Sequence, residues 1–179
     1  MKYSEKVEEF AQLGHSILRQ HAHSIEVGDI DSPGIVKIIK TMSTTLLNSS
    51  GVGLAAPQIF ESQCIIIIAS RPSKRYPLAP EMQPVVMINP SFKAISQEIK
   101  KDWEGCLSIP GIRALVPRFE KIKINYFDQQ GNQQVLLADG FVARIFQHEY
   151  DHLQGLVYLD RVEDNKDIIS ETEFQKMMG

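Results

Sequence analysis

The stretch Asp139-Gly-Phe-Val-Ala-Arg-Ile-Phe-Gln-His-Glu-Tyr-Asp-His152 constrains this chain more than any other. Its spacing predicts a helix, because Phe141, Ile145, His148 and His152 stand at i, i+4, i+7 and i+11 and share one face. Asp139 suits the N-cap, and Gly155 suits the left-handed residue that ends a helix. Phe141, Val142, Ile145 and Phe146 make the helix apolar nearly all round, which is the pattern of a buried helix. Two solvated histidines on a surface helix fit that pattern poorly, and buried imidazoles need partners. Two histidines four residues apart can grip one divalent ion, and the Glu149 between them can take a proton from water at the open position. Among five histidines, a His-Glu-x-x-His pattern arises by chance in roughly one such chain in a hundred.

Burying such a helix requires a core, and 179 residues suffice for one domain spanning residues 1–179. A formal charge of −3 does not mark a nucleic-acid binder, and no nucleic-acid motif is present. The longest apolar run, Cys64 to Ala69, is far too short for a bilayer, so no membrane partner is expected. Met1 to Gln20 mixes Lys, Glu and apolar residues and reads as no secretory signal. With only Cys64 and Cys106 available, a disulfide framework is not expected, and a reducing cytoplasm is the expected compartment.

Around the central helix, Tyr3 to Gln20 reads as a first helix with Ser4 as cap and Val7, Phe10, Leu13 and Ile17 as an apolar stripe. Ser32-Pro33 opens a second helix that runs to about Asn48, with Ile35, Ile38, Ile39, Met42 and Leu46 facing a core. Gln63 to Ala69 reads as a buried strand opened by Cys64, a small core hydrophobe. The segment 70–84 holds Pro72, Pro77, Pro80 and Pro84 with Arg71, Lys74 and Arg75, a long exposed loop. Val85 to Asn89, Phe92 to Ile99, Lys121 to Asp128 and Gln133 to Ala138 read as strands, the last two joined by a turn at Gln130-Gly131-Asn132. Val157 to Leu159 is expected as a short strand, and Ser170 to Glu173 as a capping box for a final helical turn or two. Strands preceding one central helix imply an α+β class, with mainly antiparallel sheets around the metal-binding helix.

A catalytic metal site usually has three protein ligands. On the residues alone the third is either Cys106, in Trp103-Glu-Gly-Cys-Leu-Ser-Ile-Pro110, or a downstream carboxylate, Glu171 or Glu173. The first choice places a thiolate beside Gly105. The second would make the chain a metallopeptidase of internal peptide bonds.

Three separated stretches, Gly51-Val-Gly-Leu-Ala-Ala-Pro-Gln58, Glu104-Gly-Cys-Leu-Ser108 and Gln147-His-Glu-Tyr-Asp-His152, resemble the three motifs of the peptide deformylases, in the family's order. The similarity runs from about Ile35 to Val162 and includes Arg113-Ala-Leu-Val-Pro-Arg118. It implies hydrolysis of the formyl group from the N-terminal formylmethionine of new polypeptides, with release of formate and with ribosome–nascent chains as partners. It also implies Cys106, His148 and His152 as metal ligands, Glu149 as the catalytic acid and base, and the Gln58 amide and Leu107 backbone N–H as oxyanion donors. One thiolate and two imidazoles suit Zn²⁺ or Fe²⁺. The resemblance implies one Fe²⁺ per chain, with Zn²⁺ or another divalent ion in a purified sample. Val52, Phe141 and Ile145 are expected to line an apolar slot for the methionine side chain, and Gly53 and Gly105 to pair with the substrate backbone. Arg113 is expected either to hold the peptide further along or to form a surface salt bridge. Asp151 faces away from His148 and Glu149 and is expected to support the site from behind or to cap the helix. The 71–84 loop is longer than in compact members, and Arg144 stands where some members carry an aliphatic pocket residue. A relative that only binds peptides or ribosomes is the non-catalytic alternative. It would be favoured by loss of Glu149 or Gln58, and both are present.

Overall fold

Ser32 and Pro33 start the first long helix as their chemistry requires. The Ser32 side chain accepts from Ile35 N at 3.5 Å, and Pro33 occupies the first turn of α1 (Pro33–Leu47). Its Ile35, Ile39, Met42 and Leu46 are buried and Ile38 is partly buried. The computed structural model describes residues 9–72 and 76–178. Among these, α1 is followed by β1 (Gly53–Ala55), β2 (Ile65–Ile68), β3 (Val85–Ala94), β4 (Ile99–Cys106), β5 (Ile109–Phe119), β6 (Lys121–Phe127), β7 (Gln133–Asp139), α2 (Gly140–Leu153), β8 (Ile168–Ser170) and α3 (Glu171–Met178).

The strands form two sheets with antiparallel pairings throughout. One is five-stranded in the order β1-β2-β3-β6-β7, the other three-stranded in the order β4-β5-β8. The four isoleucines of β2 explain how the larger sheet is covered on both faces. Successive strand residues point to opposite sides, so Ile65 and Ile67 join the core with α1, while Ile66 and Ile68 join the core with Ala143, Ile145, Phe146 and Leu153 of α2. All four are 0–1% exposed, and burying each contributes about 1.5–3 kcal/mol. A third cluster, built on Cys106, Ile109, Ala114, Val116, Val157 and Tyr158, lies on the smaller sheet. The class is the expected α+β, with antiparallel sheets against the helix that carries the histidines.

Several local expectations give way to tertiary contacts. Residues 1–8 of the expected first helix lie outside the described residues. Over residues 9–20 the chain forms no α-helix, only a turn at Leu13-Gly14 and a 3₁₀ turn at Ser16–Arg19. Its backbone bonds elsewhere: Ala11 N donates to Gln58 O at 2.8 Å and Leu13 N to Ser108 O at 2.9 Å. These long-range bonds replace the helical ladder. The strands expected over 85–89 and 92–99 are joined as one strand, β3, bulged between Ile88 and Ser91 and ending at Ala94, and Ile99 already belongs to β4. Asn89 sits in the bulge with its amide bonded to both the N–H and the carbonyl of Ile25. The hairpin of β4 and β5 was not foreseen, because Lys100, Lys101 and Asp102 hide its alternation. The strand expected at 157–159 is a 3₁₀ turn, Tyr158–Arg161, closed by an Asp160 carboxylate that accepts from Val157 N at 2.8 Å. The Ser170 hydroxyl caps α3 by accepting from Glu173 N, and the helix runs for eight residues. No described helix is long and apolar enough to cross a membrane.

Candidate active site

The central helix ends as its composition dictates. Gly155 has φ +71, and a Cβ there would stand 2.8 Å from the Arg19 carbonyl carbon, so only glycine turns the chain at this point. At its start Asp139 occupies the cap position without a side-chain cap bond. Between those ends nearly every residue is buried, including His148, Glu149, Asp151 and His152. Asp151 and Tyr150 point away from the histidine face. Asp151 pairs with Arg118 and Arg161, and Tyr150 packs on Phe92 and Phe146.

Strand β4 brings the third element of the site. Glu104 and Cys106 are two residues apart, so the pleat directs both to the same side, and both are buried. Cys106 Sγ lies 3.3 Å from His152 Nε2. One ligand atom each from Cys106, His148 and His152 fall within 4.8 Å of one another, forming a buried metal-binding group. The Glu104 carboxylate takes His148 Nδ1 at 2.9 Å. That bond orients the ring and leaves Nε2 facing Cys106 and His152.

Glu104 is itself held by two buried arginines. Arg118 donates through Nε at 2.9 Å and Nη2 at 3.0 Å, and Arg144 through Nη1 at 2.8 Å. Arg144 also donates to the carbonyls of Lys100 and Val116. Arg118 continues to Asp151 at 2.6 Å, and Asp151 to the partly exposed Arg161 at 2.7 Å. Burial alone would push the Glu104 carboxyl up, but Arg118 and the His148 bond hold it well below the usual carboxylate range. The same balance acts on Cys106, where burial opposes ionisation but His152 and His148 bring the thiol well below 9.0. Burial dominates at Glu149 and lifts its carboxyl to about 7 against the pull of the two imidazoles. Glu149 Oε2 is buried with no hydrogen-bond partner.

The glycine motif supplies the opposite wall. Gln58, 1% exposed, accepts from Ala55 N at 2.9 Å through Oε1. Its Nε2 is thereby turned toward Cys106 Sγ at 3.5 Å and Ser108 Oγ at 3.3 Å. Gly53 packs directly on Glu149, since a Cβ there would stand 2.8 Å from the Glu149 Cγ. A pocket opens between these parts. It is lined by Val52, Gly53, Gly105, Phe141 and Ile145 together with Gln58, Cys106, Leu107, His148 and Glu149.

Of the residues expected to contact substrate, Arg113 alone does not line this pocket. It is 1% exposed, its guanidinium is bonded to Glu171 at 2.5 and 3.2 Å, and it lines a neighbouring cavity instead. It forms an ion pair from a buried guanidinium to the partly exposed Glu171, and it is not a wall of the metal pocket. The carboxylates considered as third ligand are engaged elsewhere, Glu171 with Arg113 and Glu173 with Lys176. Tyr76 and Trp103 join the pocket lining with no signal in the sequence for it, Arg144 joins it at the position where some members carry an aliphatic pocket residue, and Glu104 lines it too. Reading β4 as a strand would have placed Glu104 on the Cys106 face. Nothing local in the sequence signals Tyr76.

The donor set fits a divalent metal. A buried thiol whose ionisation the histidines favour and two imidazoles, one of them backed by a carboxylate, would hold a divalent ion, which would supply Lewis-acid chemistry there. The polypeptide deformylase family model matches residues 7–167. Peptide deformylase 2 of Nostoc sp. is 48% identical over 167 residues, covering 93% of this chain and 92% of that protein. Peptide deformylase 2 of Shewanella oneidensis is 43% identical over 151 residues, covering 84% and 82%. The Met-Ala-Ser-bound structure of a class I type b peptide deformylase from Acinetobacter baumannii matches with a TM-score of 0.85 at 41% identity, over 88% of this chain and 99% of that one. Likeness of this extent covers most of the chain, which belongs to the polypeptide deformylase family, metal-dependent hydrolases that remove the N-formyl group from nascent peptides.

Proposed function

We propose that the enzyme deformylates N-formylmethionyl peptides in the pocket between β1, β4 and α2, with residues 1–179 acting as one catalytic domain. The observation that carries this reading is the buried, unpartnered Glu149 Oε2, set beside the Cys106–His148–His152 group at the head of an apolar pocket. A divalent ion held by those three residues would supply Lewis-acid activation of water and of the formyl oxygen. Glu149 takes the proton from the attacking water and passes it to the leaving amine, so one carboxylate serves as base and then as acid. Gln58 Nε2 and the Leu107 backbone N–H donate to the oxygen on which negative charge develops. Gln58 is fit for this role because its other amide atom is fixed by Ala55 N. Gly53 and Gly105 let the substrate backbone approach, and Val52, Phe141 and Ile145 receive the methionine side chain. The relative from Acinetobacter baumannii was solved with Met-Ala-Ser bound, which is the peptide such a reaction leaves. Arg113 supports the pocket from behind.

The thiolate and two imidazoles suit Fe²⁺, one per chain, with Zn²⁺ as the ion expected after handling in air. The substrate implies a cytoplasmic enzyme that meets nascent chains at the ribosome. The test is formate release from formyl-Met-Ala-Ser by protein purified without oxygen, with metal content measured on the same sample. Formate in step with metal content supports the reading. A fully metallated sample that releases none turns the reading toward a peptide-binding relative, and internal cleavage turns it toward a peptidase.

A further inference from the structure

Tyr76 belongs to the proline-rich connection between β2 and β3, outside every strand and helix, yet its ring forms part of the catalytic pocket. It packs on Phe141 with ring centres 4.9 Å apart. Tyr76, Trp103, Phe141 and Arg144 line this pocket on one side and a second cavity on the other, so they form a shared wall. Leu78 and Ala79 of the loop and Phe174 and Met178 of α3 also line that second, open cavity.

The contacts that hold the Tyr76 ring include two from outside its loop. One is Phe141. The other is Arg113, which reaches across from β5 and donates to the Tyr76 hydroxyl at 3.4 Å. The Arg113 guanidinium is braced by Glu171 on one side and lies 4.8 Å over the Phe174 ring on the other. Phe174 in turn packs edge-on against Trp103 at 5.6 Å. Loop, smaller sheet and C-terminal helix thus converge on one face of the pocket.

We propose that Tyr76 sets the width of the slot for the first side chain of the substrate, and that Arg113, braced by Glu171 of α3, is the positioning residue that holds Tyr76 in place. This rests on the reading that the pocket receives that side chain. Removing the ring joins the slot to the second cavity, so first side chains bulkier than methionine gain room. Contacts of this apolar kind discriminate by about 10- to 200-fold.

The test compares kcat/KM for formyl-Met-Ala-Ser and formyl-Phe-Ala-Ser, using metal-loaded protein with metal content measured for each variant. Tyr76→Ala is expected to lower the Met-to-Phe preference about tenfold or more, chiefly through KM. Tyr76→Phe, which keeps the ring, should restore most of the preference. Glu171→Gln should move it part of the way in the alanine direction. Tyr76→Leu serves in place of the alanine variant if that variant does not fold. A Tyr76→Ala enzyme with the wild-type preference, or one that loses rate equally on both peptides, overturns the proposal. Phe141→Ala separates the levels of the argument. If it shifts the preference and Tyr76→Ala does not, the slot stands and the role of Tyr76 falls. If neither variant shifts it, the slot assignment itself falls.

Discussion

Gly53 and Glu149 are packed so closely that any side chain at position 53 collides with the carboxylate on which the reaction depends. An added Cβ would lie 2.8 Å from Glu149 Cγ and 2.9 Å from Cδ. The collision is with the free end of a side chain and not with backbone, so the fold can accommodate it by moving Glu149. Gly53→Ala is therefore expected to keep its melting temperature within a few degrees and to lose activity about 100-fold, the usual consequence of misplacing a catalytic group by about 1 Å. Circular dichroism with formate assays on the same sample checks this. A variant with unchanged kcat would remove Glu149 from the chemistry or Gly53 from its placement.

Glu149 contributes no atom to the metal-binding group. Glu149→Gln should thus retain about one metal per chain and lose roughly 10²- to 10⁴-fold in kcat, the span associated with a positioned acid–base group. Metal analysis together with steady-state kinetics decides it. Near wild-type turnover in the metallated variant would contradict the assignment.

Glu104 joins the metal group to the buried arginines behind it. Glu104→Ala strips His148 Nδ1 of its partner and leaves Arg118 and Arg144 short of a buried counter-charge. We expect metal affinity to fall about 10- to 100-fold and stability to fall by about 3–5 kcal/mol, read by competition with a chelator and by denaturant titration. The pH dependence follows from the sign of the shift. The folded carboxyl is held well below 4.5, so its contribution is present above about that pH and is lost as the pH falls below it. Wild-type stability should decline on acidification more steeply than that of Glu104→Ala. Parallel acid profiles would show that Glu104 carries no such linkage.

The two cysteines should differ in reactivity. Burial raises the Cys64 thiol from 9.0 to about 11, which lowers its thiolate fraction near pH 8 about 100-fold. The histidines hold Cys106 well below 9.0, and it lines the pocket. In chelator-treated protein at pH 8, iodoacetamide should modify Cys106 first, and restoring the metal should protect it, as peptide mass mapping would show. For Cys64 the raised value means that its contribution to stability is intact below about pH 9 and is lost as the pH rises through about 11. Preferential labelling of Cys64 would reverse the assignment of core and site thiols.

Local pattern was enough for the parts of this protein whose chemistry is periodic. The apolar stripe of α1, the four isoleucines of β2, the alternation of β6, and the histidine spacing on α2 each follow from one element's own repeat. The motifs likewise brought Gln58, Cys106, His148, Glu149 and His152 forward before any geometry. What the residues alone left open was the third ligand, and only the pairing of β4 with β5 beneath α2 sets Cys106 beside the histidines while Glu171 is drawn to Arg113. The same holds for the non-helical chain at 9–15, whose apolar stripe is overridden by bonds to Gln58 and Ser108, and for Tyr76, which reaches the pocket from a loop with no repeat to read. Periodicity is a property of neighbours along the chain. The carboxylate behind His148 and the wall of the slot are properties of neighbours in space, and only the packed sheets and helix bring those together.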